Sequence, residues 1–511
     1  MLTDTAPQET PDQGAERDGT APGTKQLVKG PPRPGGIRPV RLVPTLIPLA
    51  VGLLVWFLPG PDGVSPKGWH MLAIFLATVI GIITKPLPMG AVCIVGLVAS
   101  VLTGTVPMKA AEPGGPSALM GFADPTIWLI VTAFLISRGF IKTGLGRRLG
   151  LAFVSRMGGS TLGVSYSLAL ADLVLAPAIP SATARGGGMM TPIMRSVAEL
   201  YDSRPGPTAR RAGAFLAINV GQVNAITCAM FLTSMAGNPM IASLAAGQGV
   251  TISWTSWAVG ALVPGLAALV VVPWVVYKVY PPELKRTPEA QAMARRELKE
   301  QGPMTPGEWV MAGTFALLLA LWTVGDMALG VSATTTGFVG FVVLLVTGVL
   351  TWEDVTKEKA AWDTMIWFAV LMTMAAALSH YGLIDYIANL AGSSLASFSW
   401  PVAFVLLTLV YFFSHYLFAS AIAHISAMYL AFLAAAIQVG TPPMFAALVL
   451  GYISNLIMSL TQYAGGASPA VFGTGYNTVG QWWRVSFVAA LASIAVWMSV
   501  GGGWLKLIGY W

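Results

Sequence analysis

The sequence predicts an all-α polytopic membrane protein of about eleven transmembrane helices, built as two inverted-topology repeats that each carry a re-entrant hairpin. Three observations predict it. Hydrophobic residues make up 55% of the 511-residue chain and charged residues 10%, against about 25% charged in ordinary soluble domains. Apolar runs approaching the ~20 residues of a bilayer crossing recur along the chain. Short motifs also recur in one order: DPTIW at 124–128 and DTMIW at 363–367, SATA at 181–184 and SAIA at 420–423, LTSMAG at 232–237 and LTQYAG at 460–465.

Taken in order, residues 1–36 are rich in Pro, Gly, Asp and Glu and lack an apolar stripe, which predicts a disordered cytoplasmic tail with no signal peptide. A first helix and the first repeat then fill 37–280. Its spans are expected at 41–59, 69–84, 88–105, 125–141, 213–232 and 257–279. A cytoplasmic linker is expected over 281–306. The second repeat, 307–511, has spans at 308–330, 334–350, 363–380, 442–460 and 485–509. Two further apolar regions, about 161–195 and 400–438, are too long for one crossing and are broken midway by small and polar residues.

The charges orient these elements. Basic residues cluster before the first span (Lys25, Lys29, Arg33, Arg38, Arg41), after the fourth (Arg138, Lys142, Arg147, Arg148, Arg156), after the 161–195 region (Arg195, Arg204, Arg210, Arg211) and after the sixth span (Lys285, Arg286, Arg295, Arg296, Lys299). The positive-inside rule puts all four clusters in the cytoplasm. The 161–195 region must then enter and leave on the cytoplasmic side. The 381–400 loop has no Lys or Arg, so the 400–438 hairpin enters from outside and the C-terminus ends outside. Inverted repeats with broken helices mark secondary transporters, with the substrate near the midplane. The net charge of +7 belongs to short loops between apolar runs and implies no nucleic-acid partner. Cys93 and Cys228 lie in apolar segments and imply neither a disulfide framework nor a metal site. With no Ser/His/Asp or metal-ligating cluster, no enzymatic activity, cofactor or metal is expected.

The residues expected to carry chemistry sit at the breaks. In PSATARGGGMMTPI (180–193), free N–H groups, hydroxyls and the start of a helix suit an anion. The Arg185 guanidinium adds a planar fork that matches a carboxylate. A blander role stands beside this one: Arg185 snorkels to the interface or pairs with Asp172 across the hairpin. The 239-residue offset maps Arg185 onto His424, so both hairpin tips end in a potentially cationic side chain. His415 and His380 are expected at the interface. The second repeated pair, LTSMAGNP and LTQYAGGASP, reads as an unwound stretch within a helix, with Thr233, Ser234, Asn238, Thr461 and Ser468 as donors. The competing role is a Pro-kinked helix with hydroxyls bonded to its own carbonyls.

PSATARGGGMMTPI, YLFASAIAHISAMY (416–429) and LTQYAGGASPAVFGTGY (460–476) resemble the divalent anion/sodium symporter family, and within it the citrate/succinate, tartrate/succinate and plastid 2-oxoglutarate/malate exchangers. The likeness spans nearly the whole chain after the tail. It implies a homodimer in the cell inner membrane, each protomer with a scaffold and a transport domain moving as an elevator. It implies small dicarboxylates, of the 2-oxoglutarate, malate and succinate class, as substrates. The family's hairpin-tip triplet is Ser-Asn-Thr; this chain has Ser181-Ala182-Thr183 and Ser420-Ala421-Ile422. Ser181, Thr183 and Ser420 carry over as substrate-site residues. Gly237, Asn238 and Pro239 match the unwound segment behind the first tip, and Gly465 and Gly466 stand in the second. Both tip asparagines, which help bind substrate and sodium in the symporters, are absent. Exchange without sodium is therefore the leading expectation, with Arg185 and His424 as built-in positive charge. A sodium- or proton-coupled di- or tricarboxylate symporter and an inorganic or sulfonate anion permease are the alternatives on the same fold.

Overall fold

The computed structural model describes residues 42–325, 329–395 and 397–511; the expected tail over 1–36 lies outside the described residues. Every one of the eleven apolar runs contains a helix. The segment up to residue 280 supplies α1 (Leu42–Phe57), α2 (Pro66–Thr84), α3 (Met89–Leu102), α4 (Pro125–Thr143), α5 (Leu145–Met157), α6 (Thr161–Leu175), α7 (Thr191–Leu200), α8 (Gly213–Met230), α9 (Gly237–Ala246) and α10 (Trp254–Val279). After α11 (Pro288–Glu300), the second supplies α12 (Pro306–Ala320), α13 (Ala333–Val346), α14 (Trp352–Lys357), α15 (Lys359–His380), α16 (Leu383–Leu395), α17 (Trp400–Phe413), α18 (Ala421–His424), α19 (Leu430–Gln438), α20 (Pro443–Leu456), α21 (Ser468–Phe472) and α22 (Val479–Leu507). Among the described residues, ten helices are long and apolar enough to cross a membrane. Seven are expected spans and three are hairpin arms; the other four expected spans, α1, α3, α13 and α20, are shorter apolar helices.

The helices begin where local chemistry allows. Asp124 caps α4 by accepting from Thr126 N–H, with Pro125 at the first helical position, where its missing donor does no harm. Capping boxes open α10 at Ser253 and Ser256, and α22 at Thr478 and Gln481. Equivalent elements of the two repeats then pack crosswise. Helix α4 lies against α13, α15 lies against α3, and α10 lies along α22. Helix α8 is buried along its whole length and forms the centre onto which the broken elements close.

Two elements depart from the expectation. The expected linker over 281–306 contains a helix. Its helix α11 docks on α5 through a stripe of Ala290, Met293, Ala294 and Leu298, the i, i+3, i+4, i+8 spacing of an amphipathic helix. Thr287 N–H and Oγ1 donate to Gly159 O (3.0 Å) and Gly158 O (2.8 Å), and Arg147 pairs with Glu297 at 2.8 Å. The amphipathic helices α5 and α16 are the second surprise. They are 13 residues each and hold the same place in the two repeats. Both are apolar on one face only, so neither forms a bilayer-length apolar run.

Candidate functional site

The first hairpin runs down α6, through a 3-10 turn (Ala176–Ala178), to a tip at 179–182, and returns through a π-helical stretch (Thr183–Met190) into α7. Ser181 Oγ accepts from Ala184 N–H at 3.1 Å, leaving its own O–H free to donate. Three consecutive glycines, with low helix propensity, favour the wider π turn. Thr191 supports that turn by donating to Gly186 O, five residues back, at 2.7 Å. The second hairpin repeats the design. It has α17, a 3-10 turn (Ser414–Leu417), a tip at 418–420, α18, a π stretch (Ile425–Tyr429) and α19. Ser420 Oγ accepts from Ala423 N–H at 3.4 Å. Short π segments inside α-helices concentrate at functional sites.

Arg185 is fully buried, with its polar atoms turned onto protein partners. Its Nε donates to Asp172 Oδ1 at 3.1 Å. Its Nη1 donates to Ile179 O and, at 2.5 Å, to Ser234 O. Its Nη2 reaches Cys228 Sγ at 3.0 Å. The pairing with Asp172 weighed against a substrate role is therefore present. Asn224 Nδ2 donates to Asp172 Oδ2 at 3.2 Å, and Thr227 Oγ1 donates to the same oxygen. His424 is also fully buried. Its Nε2 is hydrogen-bonded to Ser414 Oγ (2.9 Å), and its ring stacks edge-on with Tyr411 at 4.5 Å between centroids. Tyr411 stands thirteen residues before His424, as Asp172 stands before Arg185, so an aromatic contact replaces the ion pair at the matching place. His380, which is exposed, pairs with Glu112 at 3.3 Å. His415, expected at the interface, is instead fully buried, with Nε2 hydrogen-bonded to Ala464 O at 3.1 Å. The 3-10 turn carries it under the tip.

The unwound segments fill the space between the tips. In the first, Thr233 donates to Pro177 O and Ser234 to Cys228 O, both at 2.5 Å. Asn238 Nδ2 donates to Cys228 O (2.8 Å) and Phe231 O (2.9 Å), while its oxygen accepts from Asn455 (2.7 Å). Ser234 and Asn238 satisfy carbonyls that the break in α8–α9 releases, while Thr233 ties the segment to the 3-10 turn of the first hairpin. In the second, Gly465 and Gly466 have φ of 134° and 59°, backbone that favours glycine. Ser468 donates to Met458 O at 2.8 Å, and Thr461 is buried.

The structure thus brings together a subset of the expected residues. Thr183 Oγ1 donates to Gly466 O at 2.8 Å. A Cβ on Gly466 would lie 3.5 Å from Ala182, and one on Gly465 would lie 3.5 Å from Ala421 N. Both tips therefore converge on the Gly465–Gly466 pair, with the part-exposed Ser181 and Ser420 at their helix starts. Arg185, Asn238, Thr461, Ser468, Gly237 and Pro239 line the interior behind this point. Asn224, Thr227 and Asn455 join them there, outside the set the motifs point to. Their signal was polar side chains inside the apolar runs 213–232 and 442–460.

The profile described as the sodium:sulfate symporter transmembrane region matches residues 40–511. The chain is 52% identical over 474 residues to the putative malate transporter YflS of Bacillus subtilis (strain 168), covering 92% of this chain and 98% of the relative. It is 46% identical over 472 residues to the chloroplastic dicarboxylate transporter 1 of Arabidopsis thaliana, covering 92% and 83%. The fold is similar to the crystal structure of the Alcanivorax borkumensis YdaH transporter, with a TM-score of 0.50, 12% identity, and coverage of 91% of this chain and 97% of that chain.

Proposed function

Because the chain belongs to the sodium:sulfate symporter family, a family of multi-pass membrane transporters, we propose that it exchanges C4 and C5 dicarboxylates of the malate, succinate and 2-oxoglutarate class across the cell inner membrane. The names of its relatives support the substrate class. The observation that carries the mechanism is the convergence of two capped hairpin tips on Gly465–Gly466. Ser181 and Ser420 each keep a free O–H beside helix-start N–H groups, a donor set that suits a carboxylate at each end of a small diacid.

The Arg185 guanidinium supports exchange without sodium. It fills the junction of the first tip and the first unwound segment, where Ile179 O and Ser234 O converge on Nη1. A tethered cation there satisfies the carbonyls that a dissolved cation would otherwise coordinate. An empty carrier would move its unpaired donors through a dry barrier at a cost of several kcal/mol per group, so the return step is faster with a substrate aboard. The two hairpins move together as an elevator against a scaffold of α3, α4, α13 and α15, in a homodimer with a cytoplasmic N-terminus and an external C-terminus.

The experiment is uptake of labelled malate and 2-oxoglutarate into proteoliposomes, with and without internal dicarboxylate and with and without a sodium gradient. Uptake that needs internal dicarboxylate and ignores sodium is expected. Sodium-driven uptake into empty vesicles would overturn the exchange reading, and normal exchange by Arg185→Ala would remove the role given to that side chain.

A further inference from the structure

A cavity of about 460 Å³ opens beside the second arm of the first hairpin, between the start of α7 and α21. Its wall includes Gly187, Pro192, Arg195, Ser196, Ala470 and Thr474. The inner end is narrow: a Cβ on Gly187 would lie 2.8 Å from the Ala470 methyl and 3.7 Å from Thr183 Cγ2. The cavity therefore ends one helical turn from the exposed Thr183, the residue that follows the tip. An exposed line on the hairpin arm leads outward from the tip through Thr183, Gly188, Pro192 and Arg195.

The outer end is charged. Arg195 and Glu199 form an i, i+4 pair at 3.4 Å, with side chains 55% and 52% exposed, the kind of wet pair that holds weakly. Arg195 and Glu199 both stand in the cavity wall, so when their pair opens the Arg195 guanidinium is left free on a partly polar cleft, where a fixed positive charge attracts anions. At roughly 30 Å³ per water, the volume holds a small diacid still partly hydrated.

We propose that this cavity is the entrance vestibule for the dicarboxylate, and that Arg195 captures one carboxylate by exchanging its partner Glu199 for the substrate. The vestibule rests on the dicarboxylate reading above and adds a second, outer anion site to it. Substrate sheds water here before the contact between Gly187 and Ala470 parts to admit it to the tips.

The test is dicarboxylate exchange in proteoliposomes, with KM and turnover measured across a series of salt concentrations. Arg195→Gln raises KM by roughly 10-fold, the lower end of what charged clefts contribute to association, and flattens the salt dependence of KM. Arg195→Lys restores most of both, and Glu199→Gln lowers KM. A second measurement uses Ser196→Cys with a membrane-impermeant anionic thiosulfonate. The native Cys93 and Cys228 are both buried, so the introduced thiol is the reactive one. Labelling inhibits exchange, and malate in the bath protects. Unchanged KM and salt slope in Arg195→Gln, or labelling of Ser196→Cys that ignores malate, would overturn the vestibule while leaving the function standing. A wild-type protein that carries no dicarboxylate would overturn both.

Discussion

Asp172 and Arg185 are 1% and 0% exposed, and each charged group is met by partners of its own. Burying two charges costs several kcal/mol per ion, which close pairing and added hydrogen bonds offset. Here the offset comes from Asn224 and Thr227 on the carboxylate and from two carbonyls on the guanidinium. Removing one partner leaves the other charge buried and bare. Asp172→Leu is therefore expected to lower stability by about 3–5 kcal/mol. The double variant Asp172→Leu/Arg185→Met should recover a large part of that loss without recovering transport. A double-mutant cycle of thermal unfolding in detergent, run beside an exchange assay, checks both statements. Equal destabilisation in the single and double variants would contradict them.

At the scale of the element, three adjacent glycines do different work. A Cβ on Gly186 would overlap the Ala467 methyl and press on Asn224 Cγ at 3.0 Å. One on Gly188 would meet nothing closer than Thr183 O at 4.0 Å. Gly186→Ala is expected to push the hairpin off the second unwound segment, break the Thr183–Gly466 bond and abolish most exchange. Gly188→Ala should be mild, since the π stretch poses no left-handed backbone there. The comparison of these two variants in one uptake assay tests whether the hairpin must seat on 465–470. The GGG run was legible as a break in an apolar region, and the serine caps were legible from the repeated motif. Which glycine is indispensable depends on α8 and on the second unwound segment, which only the fold brings against the hairpin. Helices α5, α11 and α16 stayed hidden because their apolar stripes are narrower than a span.

At the scale of the whole molecule, the repeats are tied crosswise, and one tie lies outside the membrane-spanning segments. Lys142, at the end of α4, donates to Asp354 Oδ2 on α14 at 2.6 Å, and Thr351 adds two more donors. The Lys142 ammonium first, then the Thr351 N–H, hold the Asp354 carboxyl well below the usual carboxylate range. A carboxyl depressed in the folded state adds stability that is present above its unfolded pKa of about 4 and is lost as pH falls through the folded value. The Tm gap between the wild type and Asp354→Asn is thus expected to be widest near neutral pH and to close progressively below about pH 4. A gap that widens on acidification would reverse the assigned sign.

The sequence by itself determined the membrane class, the number and place of the apolar spans, the two broken hairpins and the repeat that pairs them. Those properties follow from local composition: lipid tolerates only apolar helices, and charge in short loops orients them. Tertiary structure alone decided which polar groups face the cavity and which face one another. Arg185 and Asn238 carry the right chemistry for an anion, yet folding turns both toward carbonyls released by the breaks in the helices. In a dry interior an unmet carbonyl or carboxylate is too costly to leave, so the nearest donor is drawn to it. That choice depends on which elements meet, a property no stretch of sequence holds on its own.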